Sequence, residues 1–151
     1  MPRFITNSTQ GGADTSSYAV IDTGLTVDGK IGIEIYAMEV YWVNGETAAA
    51  ADYEVTAAIT TTLATPSFTS ADEIQRVQWG LQNTAGVAIA VPYEPYKQVV
   101  MIEPRLTVQD TLYFHVVSSA TAQANNCHAR IYYNTVKLTD LEVMRLLVGG
   151  S

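Results

Sequence analysis

The sequence predicts an antiparallel β-sandwich, and three observations carry that expectation. Apolar and polar residues alternate at period two in one run after another, as strands with a single buried face require. Turn formers such as Asp28-Gly29 and Asn44-Gly45 separate those runs. A helical period surfaces only near the end, over residues 141–148. The 151 residues suffice for one domain with a real core.

Taken in order, residues 1–16 read as an arm, because Asn7-Ser8-Thr9-Gln10-Gly11-Gly12 is rich in turn formers and lacks periodicity. Asn7-Ser8-Thr9 also matches the glycosylation sequon, which without a secretion signal reads as a chance match. The sandwich is expected over residues 17–137. Tyr18, Val20 and Ile21 open it, a second short run follows at residues 25–27, and Asp28-Gly29 supplies a tight turn. The longest strand pattern spans residues 31–43. Ile31, Ile33 and Ile35 share one face with Glu34 opposed; beyond Ala37 the apolar set becomes Met38, Val40 and Trp42, with Glu39 exposed. Such a phase flip is what a β-bulge produces.

Asn44-Gly45 closes that strand, and Tyr53, Val55, Ala57, Ile59 and Thr61 form the next. Ser70-Ala71-Asp72-Glu73 fits a capping box, so a helical turn is expected before the strand marked by Val77, Trp79 and Leu81. Val87, Ile89 and Val91 form a short strand that Pro92 ends. Tyr93-Glu94-Pro95-Tyr96 is a stiffened loop. Val100, Ile102, Leu106 and Val108 alternate around Pro104, which marks a sheet edge or a bulge. Gln109-Asp110 then turns the chain into a hairpin-like pair at residues 112–117 and 129–135, with a long connection between them.

Eight such patterns, beginning near Tyr18, Ile31, Tyr53, Val77, Val87, Val100, Leu112 and Ala129, fit an eight-stranded antiparallel jelly roll, two Greek keys folded as a sandwich. In strand number, spacing and flanking arm the chain resembles the single jelly-roll coat proteins of icosahedral viruses, including those whose capsid encloses a membrane. The resemblance implies two four-stranded sheets, first and last strands paired near the middle of one, and subunits tiled edge to edge in a shell. It also implies itself and a second capsid protein as partners, and the virion as its location. One departure matters: the arm's only basic residue is Arg3. Genome packaging by the arm is therefore not expected, and a shell around a lipid vesicle or a minor capsid role fits better.

Composition points the same way. Only 15% of residues are charged against 48% hydrophobic, where a soluble domain carries about a quarter charged residues. Coverage by other subunits is the favoured explanation. A net charge of −7 and eight basic residues, no two adjacent, argue against a surface that binds duplex nucleic acid or anionic lipid, since both need clustered Lys and Arg to displace counterions. A single cysteine, Cys127, excludes an internal disulfide framework, and neither a signal peptide nor a membrane-spanning run is present. Synthesis in a host cytoplasm is expected.

Residues 138–151 form a short helix and tail. Thr139-Asp140-Leu141-Glu142 is a capping box, and Gly149-Gly150 stop the helix. Leu141, Met144, Leu147 and Val148 make one stripe, which Val143 and Leu146 widen beyond a single contact face. The stripe therefore supplies the candidate subunit interface together with Tyr93 and Tyr96. The plainer reading is a helix that closes its own sandwich.

No catalytic or metal site is expected, and no cofactor. His115 and His128 are too few for a cupin-type centre, and Cys127 and His128 are strand neighbours that point to opposite faces. Glu34 and Glu54 could pair as glycosidase carboxylates, but alternating Glu on outward strand faces more simply keeps edges soluble. The alternative function is a lectin-like or carbohydrate-binding sandwich, supported by Tyr93, Tyr96 and Trp42 as rings able to stack on sugars.

Overall fold

The computed structural model describes residues 2–9, 16–42, 53–65, 72–81, 96–118 and 126–149. Eight strands and one helix follow in order: β1 (Arg3–Thr9), β2 (Ser16–Asp22), β3 (Ile31–Trp42), β4 (Tyr53–Thr60), β5 (Glu73–Leu81), β6 (Tyr96–Thr107), β7 (Thr111–Ser118), β8 (Asn126–Lys137) and α1 (Asp140–Gly149). They form two four-stranded antiparallel sheets with orders β1-β8-β3-β6 and β2-β7-β4-β5. Strand β1 pairs with β8, β2 with β7, β3 with β6 and β4 with β5. An antiparallel ribbon rolled up on itself gives those pairings, so the fold is a jelly roll.

Period-two alternation builds the core. Ile33, Ile35, Met38, Val40, Trp42, Val55, Ile59, Leu112, Phe114, Val116 and Ile131 are buried between the sheets. The expected bulge is there: the register of β3 shifts between Ile35 and Ala37 against both neighbours. On the β6 side Ile35 faces Arg105 and Ala37 faces Met101, so Pro104 lies within the irregularity of an edge strand, where its missing N–H costs no ladder bond. That one shift keeps both halves of the strand facing inward.

Several expectations are corrected. The arm contains a strand: β1 pairs with β8 from Arg3 opposite Tyr132 to Thr9 opposite Asn126. Its inward positions are Phe4, Thr6 and Ser8, so only one large apolar residue faces in, while Ile5 faces out. Phe4 stacks on Tyr133 at 4.5 Å. Residues 25–27 form no strand. They belong to a crossing between sheets, closed by a 3₁₀ turn over Val27–Gly29 and by Lys30 in the left-handed region. Here Asp22 Oδ1 accepts from Gly24 N at 2.8 Å, and Thr23 N donates to Asp110 O at 2.9 Å. Side chains and a neighbouring turn thus take the place of a ladder.

The turn at Gln109-Asp110 likewise links strands of opposite sheets, and the pair at residues 112–117 and 129–135 is no hairpin, because β7 and β8 belong to different sheets. Glu73 opens β5 instead of capping a helix, its carboxylate held by Arg76. Ser70, Ala71 and the run marked by Val87 to Val91 lie outside the described residues. Since β8 pairs with β1 and not with the strand containing Tyr18, first and last strands do pair, with β8 inside the sheet and β1 at its edge.

A second, smaller apolar cluster closes one end of the sandwich. Val108, Leu138 and Val143 are buried there, with Leu106, Val136 and Leu146 packed against them. Gly32 lies beneath this cluster, and a Cβ added to it would sit 2.9 Å from Leu138 Cδ1 and 3.0 Å from Leu106 Cδ1. A side chain at that position would push the cluster apart.

Candidate assembly surface

The capping box opens α1 as its sequence requires. Thr139 N donates to Glu142 Oε2 at 2.7 Å, and Glu142 N donates to Thr139 Oγ1 at 3.3 Å. The bond from Thr139 N, together with one from the Thr139 hydroxyl, holds the exposed Glu142 carboxyl below its ordinary value. Lys30 reaches Asp140 at 2.9 Å, so the left-handed residue of the β2–β3 crossing also tethers the first turn of the helix. Position and direction of α1 are therefore fixed from both sides.

Its two faces then part company. Val143 and Leu146 turn inward onto Leu138 and Val108. Leu141, Met144, Leu147 and Val148 turn outward and are 59%, 63%, 44% and 87% exposed. The sandwich is closed by its own helix, as the plainer reading has it, and the other stripe stays free. Four large apolar side chains on ten helical residues are a dense exposed patch. Of the remaining candidates, Tyr93 lies outside the described residues, and Tyr96 is the first residue of β6, opposite Trp42.

Trp42 itself is fully buried, its ring 5.7 Å from that of Trp79 in the core. It offers no surface for a sugar. The reason is the bulge, which turns the second half of β3 inward.

The outer face of the β1-β8-β3-β6 sheet holds a feature the alternation did not reveal. Glu39 points outward as expected, yet it is buried. Tyr41 donates its hydroxyl to Oε1 at 2.9 Å, Tyr132 donates to Oε2 at 3.1 Å, and the Arg130 guanidinium lies 3.7 Å away. A carboxylate with both oxygens engaged is braced in place. The signal that could have found it, a tyrosine two residues on and another across the register, requires knowing that β8 is the neighbour.

The opposite outer face carries a second buried polar group. His115 Nε2 lies 3.4 Å from Thr62 O, and the ring sits beside those of Tyr18 and Tyr113, with centroids 5.9 and 6.4 Å away. Burial pushes its pKa down from 6.5, and the Thr62 carbonyl opposes this in part. His128 is on the other sheet and exposed. Cys127 faces the core, where burial pushes the thiol up to about 12. The two histidines thus lie on different sheets, as do the strands carrying Glu34 and Glu54. Among the described residues no cluster of three or more His, Cys, Asp or Glu could hold a metal ion.

No family model and no curated protein matches the chain. Solved structures do, among them a structure of infectious bursal disease virus, Gx strain, at 10% identity and a TM-score of 0.29. That match covers 87% of this chain and 30% of the other, so the chain spans less than a third of the viral protein's length. The likeness is weak.

Proposed function

We propose that the chain is a single jelly-roll capsid subunit that assembles with copies of itself, or with a second coat protein, into an icosahedral shell. The observation that carries this reading is the double-sided helix. One face of α1 completes the subunit, and the other presents Leu141, Met144, Leu147 and Val148 to solvent. A lone soluble domain has little reason to keep such a stripe beside so few charges. A tiled shell covers it.

In this reading the chain is structural and not an enzyme, its place is the virion, and its contacts are protein to protein. The net charge of −7 favours a coat that does not grip nucleic acid directly, and the arm's single basic residue, Arg3, leaves an internal membrane as a candidate neighbour. Carbohydrate binding is the weaker reading, because Trp42 is committed to the core. Light scattering and negative-stain microscopy across a concentration series, alone and with a second coat protein, test the proposal. Discrete closed particles or large defined oligomers are expected. A strict monomer under every condition would overturn it.

A further inference from the structure

A sheet of four strands has two edges, and edges left flat and apolar pair with other chains unless something prevents it. Among the described residues, three of the four edges carry a deterrent. On β1, Arg3 follows Pro2. On β6, Lys97, Glu103, Pro104 and Arg105 combine charge with a missing donor. On β5, Glu73 and Arg76 form an ion pair, and Arg105 Nη1 donates to Glu73 O at 2.7 Å, occupying an edge carbonyl. Strand β2 has no proline in or beside it, and its one charge, Asp22, is its last residue. From Ser16 to Ile21 it contains no charge and no proline, and its outward Tyr18 and Val20 are 51% and 59% exposed.

We propose that β2 pairs antiparallel with β2 of a second copy about a two-fold axis at Ala19, fusing two four-stranded sheets into one continuous sheet. The register follows from self-complementarity. Pairing centred on Ala19 sets Tyr18 opposite Val20 of the second copy, and the axis repeats that contact. Both outward apolar residues are then covered by an aromatic to β-branched pair, a favourable cross-strand combination. Asp22, the strand's one charge, falls opposite Ser16 of the second copy and not opposite another Asp22. Ile21 and Ser17, both turned toward the sandwich interior, stand opposite each other. Shifting the axis by one residue would break the match between outward apolar positions. Tyr18 is already braced edge-on by Tyr113 at 5.8 Å, so little side-chain freedom remains to be lost.

This dimer contact is separate from the helix surface, and the test keeps them apart. Sedimentation velocity of the full chain should show a concentration-dependent dimer. Val20→Lys, with its melting temperature unchanged, should weaken that dimer by about tenfold, because the two-fold removes the cross-strand pair twice. Oxidising a mixture of Tyr18→Cys and Val20→Cys chains should give a covalent dimer. Either variant alone should not, since the diagonal neighbours stand about 7–8 Å apart, beyond easy disulfide reach. The native thiol of Cys127 is buried and does not compete. A Val20→Lys chain that dimerises like its parent, a parent monomeric at every concentration, or equal cross-linking by either variant alone would each overturn the inference. If Met144→Lys abolishes self-association while Val20→Lys does not, the helix surface stands and the β2 contact falls.

Discussion

The two apolar clusters of this molecule differ in what surrounds them. The sandwich core lies between two four-stranded sheets, and Trp42, Phe114, Ile33 and Ile35 within it are fully buried. The cluster under α1 consists of Val108, Leu138 and Val143 with half-buried neighbours, and the helix that covers it leaves most of its apolar surface outside. The difference assigns two jobs. Apolar burial is concentrated between the sheets, and the proposed function places association on the outer face of a helix attached by a thin contact. A helix of ten residues is too short to persist in water unaided, so α1 depends on its cap, the Lys30–Asp140 tether and Val143.

The comparison is broken most severely in the core. Phe114→Ala should cost about 3–5 kcal/mol in a urea titration, a large share of a typical domain stability. A loss under about 1 kcal/mol would mean that the core is not where stability lies. Next in size, Thr139→Ala removes the Oγ1 acceptor of the capping box and should cost about 1 kcal/mol, read as a lower melting temperature. The sandwich should remain folded. A change within error would show that packing alone holds the helix.

The smallest effect concerns pH. His115 has a pKa below its ordinary 6.5 in the folded chain. As pH falls through 6.5 the unfolded chain takes up a proton that the folded chain refuses, so stability present above 6.5 declines until the folded value is passed. Melting curves of the parent and His115→Gln, compared between neutral and mildly acidic pH, should show the steeper decline in the parent. Equal slopes would contradict the assignment.

Much of this architecture was legible in the residues. The bulge in β3 could be read because large apolar side chains change phase at Ala37, and the helix start could be read because Thr139 and Glu142 carry the capping chemistry themselves. Strand β1 was not legible, since its inward Thr6 and Ser8 are polar and its pairing with β8 is a contact between distant parts of the chain. The burial of Glu39 was hidden for the same reason: Tyr132 and Arg130 arrive from β8. The candidate interface was legible as residues but not as a face. Apolar side chains nearly encircle α1, and only the position of Leu138 and Val108 decides that Val143 turns inward while Leu141, Met144, Leu147 and Val148 turn out.

The division between a stabilising inner face and an associating outer face is tested most directly by two substitutions one residue apart, each read by thermal melting and by sedimentation. Val143→Ala should lose about 1.5 kcal/mol of stability, two methyl groups' worth of burial, and still associate. Met144→Lys should melt within about 0.5 kcal/mol of the parent and sediment as a species that no longer forms large assemblies. The reverse pattern, in which Met144→Lys unfolds the chain or Val143→Ala alone abolishes association, would contradict the account.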